Sequence, residues 1–260
     1  DFDGMCDAGD ICIHHNPDDP DNNDSCGSDP VLTAIGSQTT LEDVSFSIDL
    51  SSTDVDSDNN TYPDNAAYEI EDIDNDDLFV SSIDGTIISI DPISNKSGSG
   101  SILVTVTDDF GGYDTELVAI EVIAVSDTPS LSSNNVTGIE DIQTEFDLLS
   151  SLNDTDGSEY LTLHFTAIPD GCSLSNGTDN GDGSWSVSED QFSGLSLLTP
   201  LHFNSELIYY AERYEFNLLG SLDIPVTATA TESSNGDQSS ISTSFTVTIN
   251  PVQDSPELHL

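Results

Sequence analysis

The side chains in this sequence that could do chemistry are overwhelmingly carboxylates. The chain has 260 residues, with 50 Asp and Glu against only Lys96 and Arg213, so its formal net charge is −48 at pH 7. Like charges at this density oppose compaction, so a folded chain needs counter-ions. Calcium is the natural candidate, because it is a hard divalent cation that carboxylate and carbonyl oxygens bind. We therefore expect several Ca²⁺ ions to be cofactors.

The carboxylates that we predict to bind metal fall in three stretches of the chain. Those at strand ends and in linkers can converge on one junction, where a shared ion would stiffen the linker. The alternative is that loop aspartates only cap turns and solvate the surface. The candidate ligands are Asp1, Asp3, Asp7, Asp10, Asp18, Asp21 and Asp24; then Glu42, Asp54, Asp56, Asp58 and Asp108; then Asp127, Glu140, Asp154, Asp156, Glu159, Glu232 and Asp254.

Signals for catalysis are poor, and we predict that the chain is not an enzyme. His14 and His15 are adjacent, so they cannot share one face of a strand. There is no glycine-rich phosphate loop and no zinc-type cysteine spacing. Carboxylate pairs are so common here that no single pair is diagnostic of glycoside hydrolysis. The charge disfavours nucleic acid and anionic membranes as partners, and no apolar run approaches the ~18 residues of a membrane span.

Clustered cysteines in an acidic, Ser/Thr-rich chain favour an extracellular location. Cys6, Cys12 and Cys26 cluster at the start of the chain and Cys172 stands alone, which favours an oxidising compartment. If that compartment glycosylates proteins, six Asn-x-Ser/Thr sequons are candidate surface sites. They lie at Asn23, Asn59, Asn95, Asn135, Asn153 and Asn176.

The elements that must position these carboxylates are predicted to be short antiparallel strands. In one example Ile102, Val104 and Val106 alternate with outward-facing residues, and five other segments show the same period of two. Turns rich in Gly, Asn, Asp and Ser separate these segments, which is typical of a β-sandwich. The one candidate helix covers Ser205–Leu219, and an extra hairpin is the alternative there.

An internal repeat divides the chain into modules. A short Ser-Asp-Pro or similar motif recurs at 28–30, 126–129 and 253–256. An acidic pair and an Asp-rich loop follow its first two copies. This pattern predicts homologous modules at 28–126 and 127–253. Residues 254–260 then form the first strand of a further module, or a strand given to a neighbour. Residues 1–27 lack an apolar pattern, so metal and disulfides must hold them unless they are disordered.

The N-terminal segment resembles a thrombospondin type 3 repeat. The resemblance rests on the Asp-Gly-Met-Cys-Asp run at 3–7, on Asp10-Ile-Cys12 and on the Asp-rich stretch that ends at Cys26. It implies aspartates lining a string of calcium ions and a disulfide between Cys12 and Cys26. Cys6 and Cys172 are left over, to join within the chain or between neighbouring protomers.

The two modules resemble calcium-binding repeats of large bacterial surface proteins. Module one is similar to cadherin-like and immunoglobulin-like repeats, through Glu42-Asp43, the loop at 54–58 and Val-Thr-Val-Thr-Asp at 104–108. Module two resembles the repeat of type I-secreted RTX adhesins, through Asp-Thr-Asp-Gly-Ser-Glu at 154–159 and Thr-Ala-Thr-Ala-Thr-Glu at 227–232. An aromatic-rich insertion near 204–220 departs from that family. The resemblance implies β-sandwiches stacked end to end on the bacterial surface, with calcium at their junctions.

The sequence therefore predicts a structural role with one rival. In the leading hypothesis the chain is a stiff segment of an adhesin, or a protomer that assembles head to tail when 256–260 adds a strand to the next copy. The rival is a module that binds a glycan or another surface through the Tyr-rich insertion or Trp185. We expect Trp185 to pack in the core of module two, with carbohydrate stacking as the alternative.

Overall fold

The fold is built from strands gathered in two compact units. The computed structural model describes residues 29–54, 66–74, 77–108, 112–154, 156–203, 208–209, 216–217 and 221–253. The chain divides between Ala124, which ends unit 1, and Val125, which begins unit 2. Among the described residues there is one short 3₁₀ helix and every other regular element is a strand. The predicted class, tandem antiparallel β-sandwich modules, is confirmed.

Unit 1 is a sandwich of nine described strands. One sheet has the order β2-β9-β8-β5, the other has the order β3-β7-β6, and β1 pairs with β4 beside them. The strands are β1 (Val31–Leu32), β2 (Gln38–Leu41), β3 (Phe46–Asp49), β4 (Ser52–Thr53), β5 (Ala67–Asp74), β6 (Phe79–Asp84), β7 (Ile87–Pro92), β8 (Gly98–Thr107) and β9 (Tyr113–Ile123).

The core of unit 1 follows the period-two alternation read from the sequence. Ile102, Val104 and Val106 of β8 are fully buried, and they pack in one cluster with Ile88 and Ile90 of β7 in the facing sheet. β-branched side chains suit this half-buried pleated surface. The inward faces of the two sheets therefore build one apolar core.

Unit 2 is a second sandwich with a larger main sheet. That sheet has the order β11-β22-β21-β14-β17-β16, and a β12-β18-β15 sheet, a β10-β13 pair and a β19-β20 pair are the other described sheets of the unit. A 3₁₀ helix covers Glu189–Gln191. The strands are β10 (Ser130–Asn134), β11 (Val136–Ile139), β12 (Thr144–Glu145), β13 (Asp147–Ser151), β14 (Glu159–Phe165), β15 (Ser173–Leu174), β16 (Thr178–Asp179), β17 (Trp185–Ser188), β18 (Ser196–Leu198), β19 (Ile208–Tyr209), β20 (Phe216–Asn217), β21 (Leu222–Glu232) and β22 (Gln238–Asn250).

Aromatic rings fill the centre of unit 2. Phe146 lies 5.8 Å from Phe165 between ring centroids and meets Phe245 edge to face at 4.9 Å, a geometry that aromatic pairs favour. Trp185 is partly buried and packs against the same core. The structure therefore agrees with the expected core position of Trp185 rather than with an exposed stacking platform.

The first strand of each unit changes sheets partway along. In unit 1, β1 pairs antiparallel with β4, and the chain then crosses to β2, which pairs in parallel with the last strand, β9. In unit 2, β10 pairs antiparallel with β13 and β11 pairs in parallel with the last strand, β22. The sequence repeat is thus matched by a repeated topology. This crossing places the residues after β2 and β11 beside the final strand of their unit.

The insertion near 204–220 contains a short hairpin. β19 pairs antiparallel with β20, so the described part of this segment agrees with the hairpin alternative and not with a helix. No helix in the described ranges has the length and apolar character that crossing a bilayer requires.

Several predictions fall on residues outside the described ranges. They concern the thrombospondin-like segment, part of the first Asp-rich loop, two sequons and the C-terminal strand. The residues are Asp1, Asp3, Cys6, Asp7, Asp10, Cys12, Asp18, Asp21, Asn23, Asp24, Cys26, Asp56, Asp58, Asn59 and Asp254, together with 256–260.

Candidate metal centre

Carboxylates collect at the end of unit 2 where the chain enters it, which we call its entry pole and define by Asp127, Asp154, Asp156, Glu159 and Glu232. Glu159 opens β14, Glu232 closes β21, and the two are direct cross-strand partners. Both lie on the inward face of the sheet, with Glu159 8% exposed and Glu232 1% exposed. Like charges placed directly opposite each other destabilise a sheet. Some further group must therefore offset this pair.

The loop between β13 and β14 folds its own carboxylates toward the glutamates. Asp154 is 3% exposed, and its Oδ1 accepts the Asp156 N–H at 2.8 Å. Asp156 Oδ1 in turn accepts the Ser158 N–H at 2.7 Å. These Asx-type turns wind the loop so that Asp154 and Glu232 have carboxylate oxygens within 4.8 Å of each other.

One hydroxyl and one linker N–H also donate hydrogen bonds to the glutamates of this pole. Ser158 Oγ lies 3.1 Å from Glu232 Oε1 and 3.3 Å from Asp154 Oδ2, and its one proton can serve only one of them. The N–H of Asp127, in the linker before β10, donates to Glu159 Oε1 at 2.8 Å. The linker is therefore tied to the same carboxylates.

Two oxygens of the cluster stay unsatisfied. Oε2 of Glu159 and Oε2 of Glu232 are both buried and accept no hydrogen bond from the part of the chain that the structure describes. A buried ionised carboxylate without a partner is costly, and removing one partner of a buried charge pair costs about 3–5 kcal/mol. Two such oxygens on directly facing residues make this pole a candidate cation site.

The charges of the entry pole also favour a cation at this site. Burial raises the pKa of Glu232 above its ordinary value of 4.5, the Ser158 hydrogen bond opposes this shift, and the negative charges of Glu159, Asp154 and Asp156 add to it. No described Lys or Arg side chain pairs with these carboxylates. Hard oxygen ligands without basic partners suit Ca²⁺, which takes six to eight oxygens in flexible geometry.

The entry pole of unit 1, defined by Asp29, Asp54, Asp108 and Gly112, repeats this chemistry. Asp108 follows β8 and its Oδ1 accepts the Gly112 N–H at 2.8 Å. A Cβ at Gly112 would overlap the other oxygen of Asp108 and would lie 2.9 Å from Oδ1 of Asp29. Both carboxylates therefore converge on the face of this glycine. Asp29 and Asp54 lie at the same end of the antiparallel β1–β4 pair.

Glu42 and Glu140 lie at the opposite ends of their units, which we call the exit poles. Each follows the parallel strand β2 or β11 and donates its N–H to the last strand, Glu42 to the Ile123 carbonyl at 2.9 Å and Glu140 to the Asn250 carbonyl at 3.0 Å. The next residue of each pair, Asp43 or Asp141, has a positive φ near 60°. The repeated acidic pair therefore marks a repeated turn.

Sequence reasoning missed three residues of these sites. The sequence identifies Asp29 only as part of the repeated Ser-Asp-Pro motif, although its carboxylate faces Gly112. Ser158 was not singled out as a partner of Glu232. Asp237 accepts the Ser126 N–H at 3.0 Å and so holds the linker from the β21–β22 turn. The repeated motif could have identified Asp29, whereas the roles of Ser158 and Asp237 depend on tertiary contacts.

The Asn side chains of the described sequons differ in the hydrogen bonds that they already make. Asn153 and Asn176 donate from Nδ2 to the carbonyls of Thr128 at 2.7 Å and Gln191 at 3.3 Å. Asn135 uses its Oδ1 to accept the Thr246 N–H at 2.9 Å. Glycosylation at these positions and at Asn95 stays a prediction.

Cys172 is a free, half-buried thiol, and burial raises its pKa to about 11. Because the thiolate is the reactive form, this thiol is poorly reactive at neutral pH. Its pairing with Cys6 stays a prediction.

Comparison with known proteins gives structural likenesses only. No family model and no curated protein sequence matches the chain. Among solved structures, it is similar to a Protocadherin Gamma B2 fragment of extracellular cadherin domains 3–6, with 14% identity, a TM-score of 0.43, and coverage of 85% of this chain and 46% of that one. Human mucin-like protocadherin EC1-2 gives 13% identity and a TM-score of 0.42, with coverage of 86% and 98%.

A four-repeat fragment described as PcdhgB3 EC1-4 gives 13% identity and a TM-score of 0.45, and the match covers 86% of this chain. The chain spans about half or less of the length of the first solved structures that it matches, between 39% and 50%. The finer resemblances, to RTX adhesins and to a thrombospondin type 3 repeat, stay predictions.

Proposed function

We propose that this chain is a non-enzymatic, extracellular structural segment of an adhesion protein, whose β-sandwiches bind calcium at their poles. One observation carries the proposal. Glu159 and Glu232 face each other across adjacent strands, both buried, with two unsatisfied oxygens and with Asp154 beside them. A sandwich that buries this much negative charge gains stability when a divalent cation binds the folded state alone.

Calcium binding at such a pole also supports the extracellular location. Calcium sites in extracellular modules work at dissociation constants of about 10⁻⁴–10⁻³ M, a concentration that Ca²⁺ reaches outside cells. The residues that would hold the ion in unit 2 are Asp154, Asp156, Glu159 and Glu232, and in unit 1 Asp29, Asp54 and Asp108. Calcium would supply charge neutralisation there and no chemical step. The bacterial surface and an ion shared across the linker stay predictions.

The first test compares thermal unfolding in chelator, in millimolar Ca²⁺ and in millimolar Mg²⁺. We expect Ca²⁺ to raise Tm above the chelator value, since ligand at about 1 to 10 times its Kd stabilises the folded state by roughly 0.4–1.4 kcal/mol for each site. Mg²⁺ should raise Tm less, because it demands a smaller octahedral site and holds its water. Equal Tm values in chelator and in Ca²⁺ would refute the proposal.

The Glu232→Gln variant should change Tm in opposite directions in chelator and in Ca²⁺. The neutral amide removes a buried, repelled charge, so the variant should melt higher than the parent chain in chelator. In Ca²⁺ it lacks a ligand and should melt lower. Glu145→Gln makes the same charge change at an exposed position of β12 and should follow the parent chain in both buffers. A Glu232→Gln variant that behaves like Glu145→Gln would remove unit 2 from the proposal.

A further inference from the structure

Each buried glutamate of the entry pole of unit 2 has one carboxylate oxygen that is held and one that is not. Oε1 of Glu232 accepts a hydrogen bond from the Ser158 hydroxyl at 3.1 Å, and Oε1 of Glu159 accepts one from the Asp127 N–H at 2.8 Å. Oε2 of each glutamate is buried and accepts no hydrogen bond from any described residue. The held oxygens therefore fix the directions in which the two remaining oxygens can bind a cation.

The backbone of Ser158 is held on both sides of its side chain. Its N–H donates to Asp156 Oδ1 at 2.7 Å, and its carbonyl accepts the Ser233 N–H at 2.9 Å. Ser233 directly follows Glu232, so the second bond ties the loop before β14 to the end of β21. The Cβ of Ser158 is thus held beside Glu232, and one torsion angle remains to place its hydroxyl.

The Ser158 hydroxyl oxygen also lies between two carboxylates that belong to different elements. It is 3.1 Å from Oε1 of Glu232, at the end of β21, and 3.3 Å from Oδ2 of Asp154, in the loop before β14. Its single proton can bond to either of them. Whichever carboxylate takes the proton, the oxygen atom stays between the two and keeps them from closing on each other.

The spacing that results suits calcium better than magnesium. Asp154 and Glu232 have carboxylate oxygens within 4.8 Å of each other. Oxygens up to this distance apart can be spanned by Ca–O bonds of about 2.3–2.6 Å, whereas Mg–O bonds of about 2.0–2.1 Å require a closer pair. Mg²⁺ also demands near-ideal octahedral geometry, which carboxylates held by their neighbours adopt less easily.

We propose that Ser158 is the positioning residue that makes the entry pole of unit 2 prefer Ca²⁺ to Mg²⁺. Its hydroxyl directs Oε2 of Glu232 toward the cation and holds Asp154 at the distance that calcium requires. The inference rests on the proposed function, since it concerns the same site, and it adds the residue that sets the ion preference there. Groups that orient metal ligands in this way contribute about 10–100-fold to metal affinity.

The test measures the affinity of this one pole for each ion in the full chain. Hydrogen exchange at the amides of residues 158 and 233, followed during titration with Ca²⁺ and with Mg²⁺, gives an apparent Kd for each ion at this site. Ser158→Ala should weaken Ca²⁺ binding about tenfold and Mg²⁺ binding much less, so the ratio of the Mg²⁺ Kd to the Ca²⁺ Kd falls. Ser158→Thr retains the hydroxyl and should keep the parent ratio.

Ser184→Ala is the matched control, because Ser184 also lies in unit 2 and its hydroxyl donates to Asp182 Oδ1 at 2.6 Å. This variant also loses a bond between a hydroxyl and a carboxylate, but away from the pole. It should lower Tm in chelator by a similar amount and leave the ratio of the two Kd values at the parent value. The control therefore separates an effect on ion preference from an effect on stability.

Three results overturn the inference: an unchanged ratio in Ser158→Ala, an equal fall in Ser184→Ala, or an equal fall in Ser158→Thr. Each of them leaves the proposed function intact as long as Ca²⁺ slows exchange at this pole in the parent chain. A parent chain whose exchange at residues 158 and 233 does not respond to Ca²⁺ removes the calcium site of unit 2, and with it both the proposed function of this pole and the inference.

Discussion

At the scale of single residues, Glu232 illustrates a conflict between burial and charge. It ends the strand in an inward position, where the alternation that buries Ala228 and Ala230 also buries its carboxylate. It faces Glu159 directly across the sheet. A sequence shaped for stability alone would place an apolar side chain there, because a buried charge rarely adds stability. An ionised glutamate at this position costs stability unless a proton or a cation neutralises it.

The calcium-free protein should lose stability as pH rises above 4.5, the ordinary pKa of Glu232. Because the folded state raises that pKa, the folded chain holds a proton that the unfolded chain has released in this window. The free energy of unfolding therefore falls with rising pH, until pH passes the folded pKa. Urea unfolding of calcium-free protein at several pH values measures this slope.

Glu232→Gln isolates the contribution of this one group. The variant has no carboxyl to titrate, so its free energy of unfolding should fall less than that of the parent chain over the same pH range. Glu145→Gln should keep the parent slope. Identical slopes for the parent chain and Glu232→Gln would show that another group controls the pH dependence.

At the scale of elements, the crossing between β1 and β2 is held by a side chain from the last strand of unit 1. The two carboxylate oxygens of Glu116 accept the N–H groups of Ile35 and Gly36, each at 2.8 Å. Its neighbour Asp114 accepts the Leu32 N–H at 2.9 Å. The first strand leaves one sheet for the other, so these N–H groups have no ladder to join. The carboxylates take the place of a strand partner.

Removal of the Glu116 carboxylate should destabilise unit 1 without changing its entry pole or its exit pole. Glu116→Ala leaves two N–H groups without their acceptor and should lower the free energy of unfolding by about 1–3 kcal/mol. Hydrogen exchange at the Ile35 and Gly36 amides should speed up. Glu121→Ala, on the same strand but with an exposed side chain, is the matched control and should change neither quantity.

Hydrogen exchange that stays slow at both amides in Glu116→Ala would contradict this role. The calcium shift in Tm is expected to survive in the variant, because Glu116 belongs to neither pole.

The sequence predicted the strands well and their connections poorly. Alternation identified the inward faces of β8 and β21, and the repeated Glu-Asp pair turned out to be a repeated turn. The first strand of each unit switches sheets and pairs in parallel with the final strand. No pattern in the local sequence predicts either feature. Glu116 reaches residues 81 positions away, and the pairing of Glu159 with Glu232 depends on the register of β14 against β21. Residue types indicated calcium, while tertiary contacts decided which oxygens converge.

At the scale of the whole molecule, the net charge of −48 opposes folding. With 50 acidic and two basic residues, nearly every approach of two charged side chains in the folded chain is between like charges. The apolar cores of the two units must outweigh this repulsion. Screening therefore changes stability even where no specific ion binds.

Salt should substitute in part for calcium. In chelator, raising NaCl from about 0.05 M to about 0.5 M should raise Tm by several degrees, because the Debye length falls below the ~10 Å that it has at 0.1 M. In millimolar Ca²⁺ the same change should have a smaller effect, since bound ions already neutralise the poles. A Tm in chelator that does not respond to NaCl would show that self-repulsion is unimportant.

The parallel pairing of first and last strands also determines how each unit bears mechanical load. The chain enters β2 from the entry pole and leaves β9 at the exit pole, and four residue pairs join these strands. β11 and β22 are joined by four pairs in the same sense. Tension applied to the two ends of a unit pulls these strands past each other lengthwise. Their hydrogen bonds must then rupture together rather than peel apart one at a time, so each sandwich resists stretching along the line of the chain.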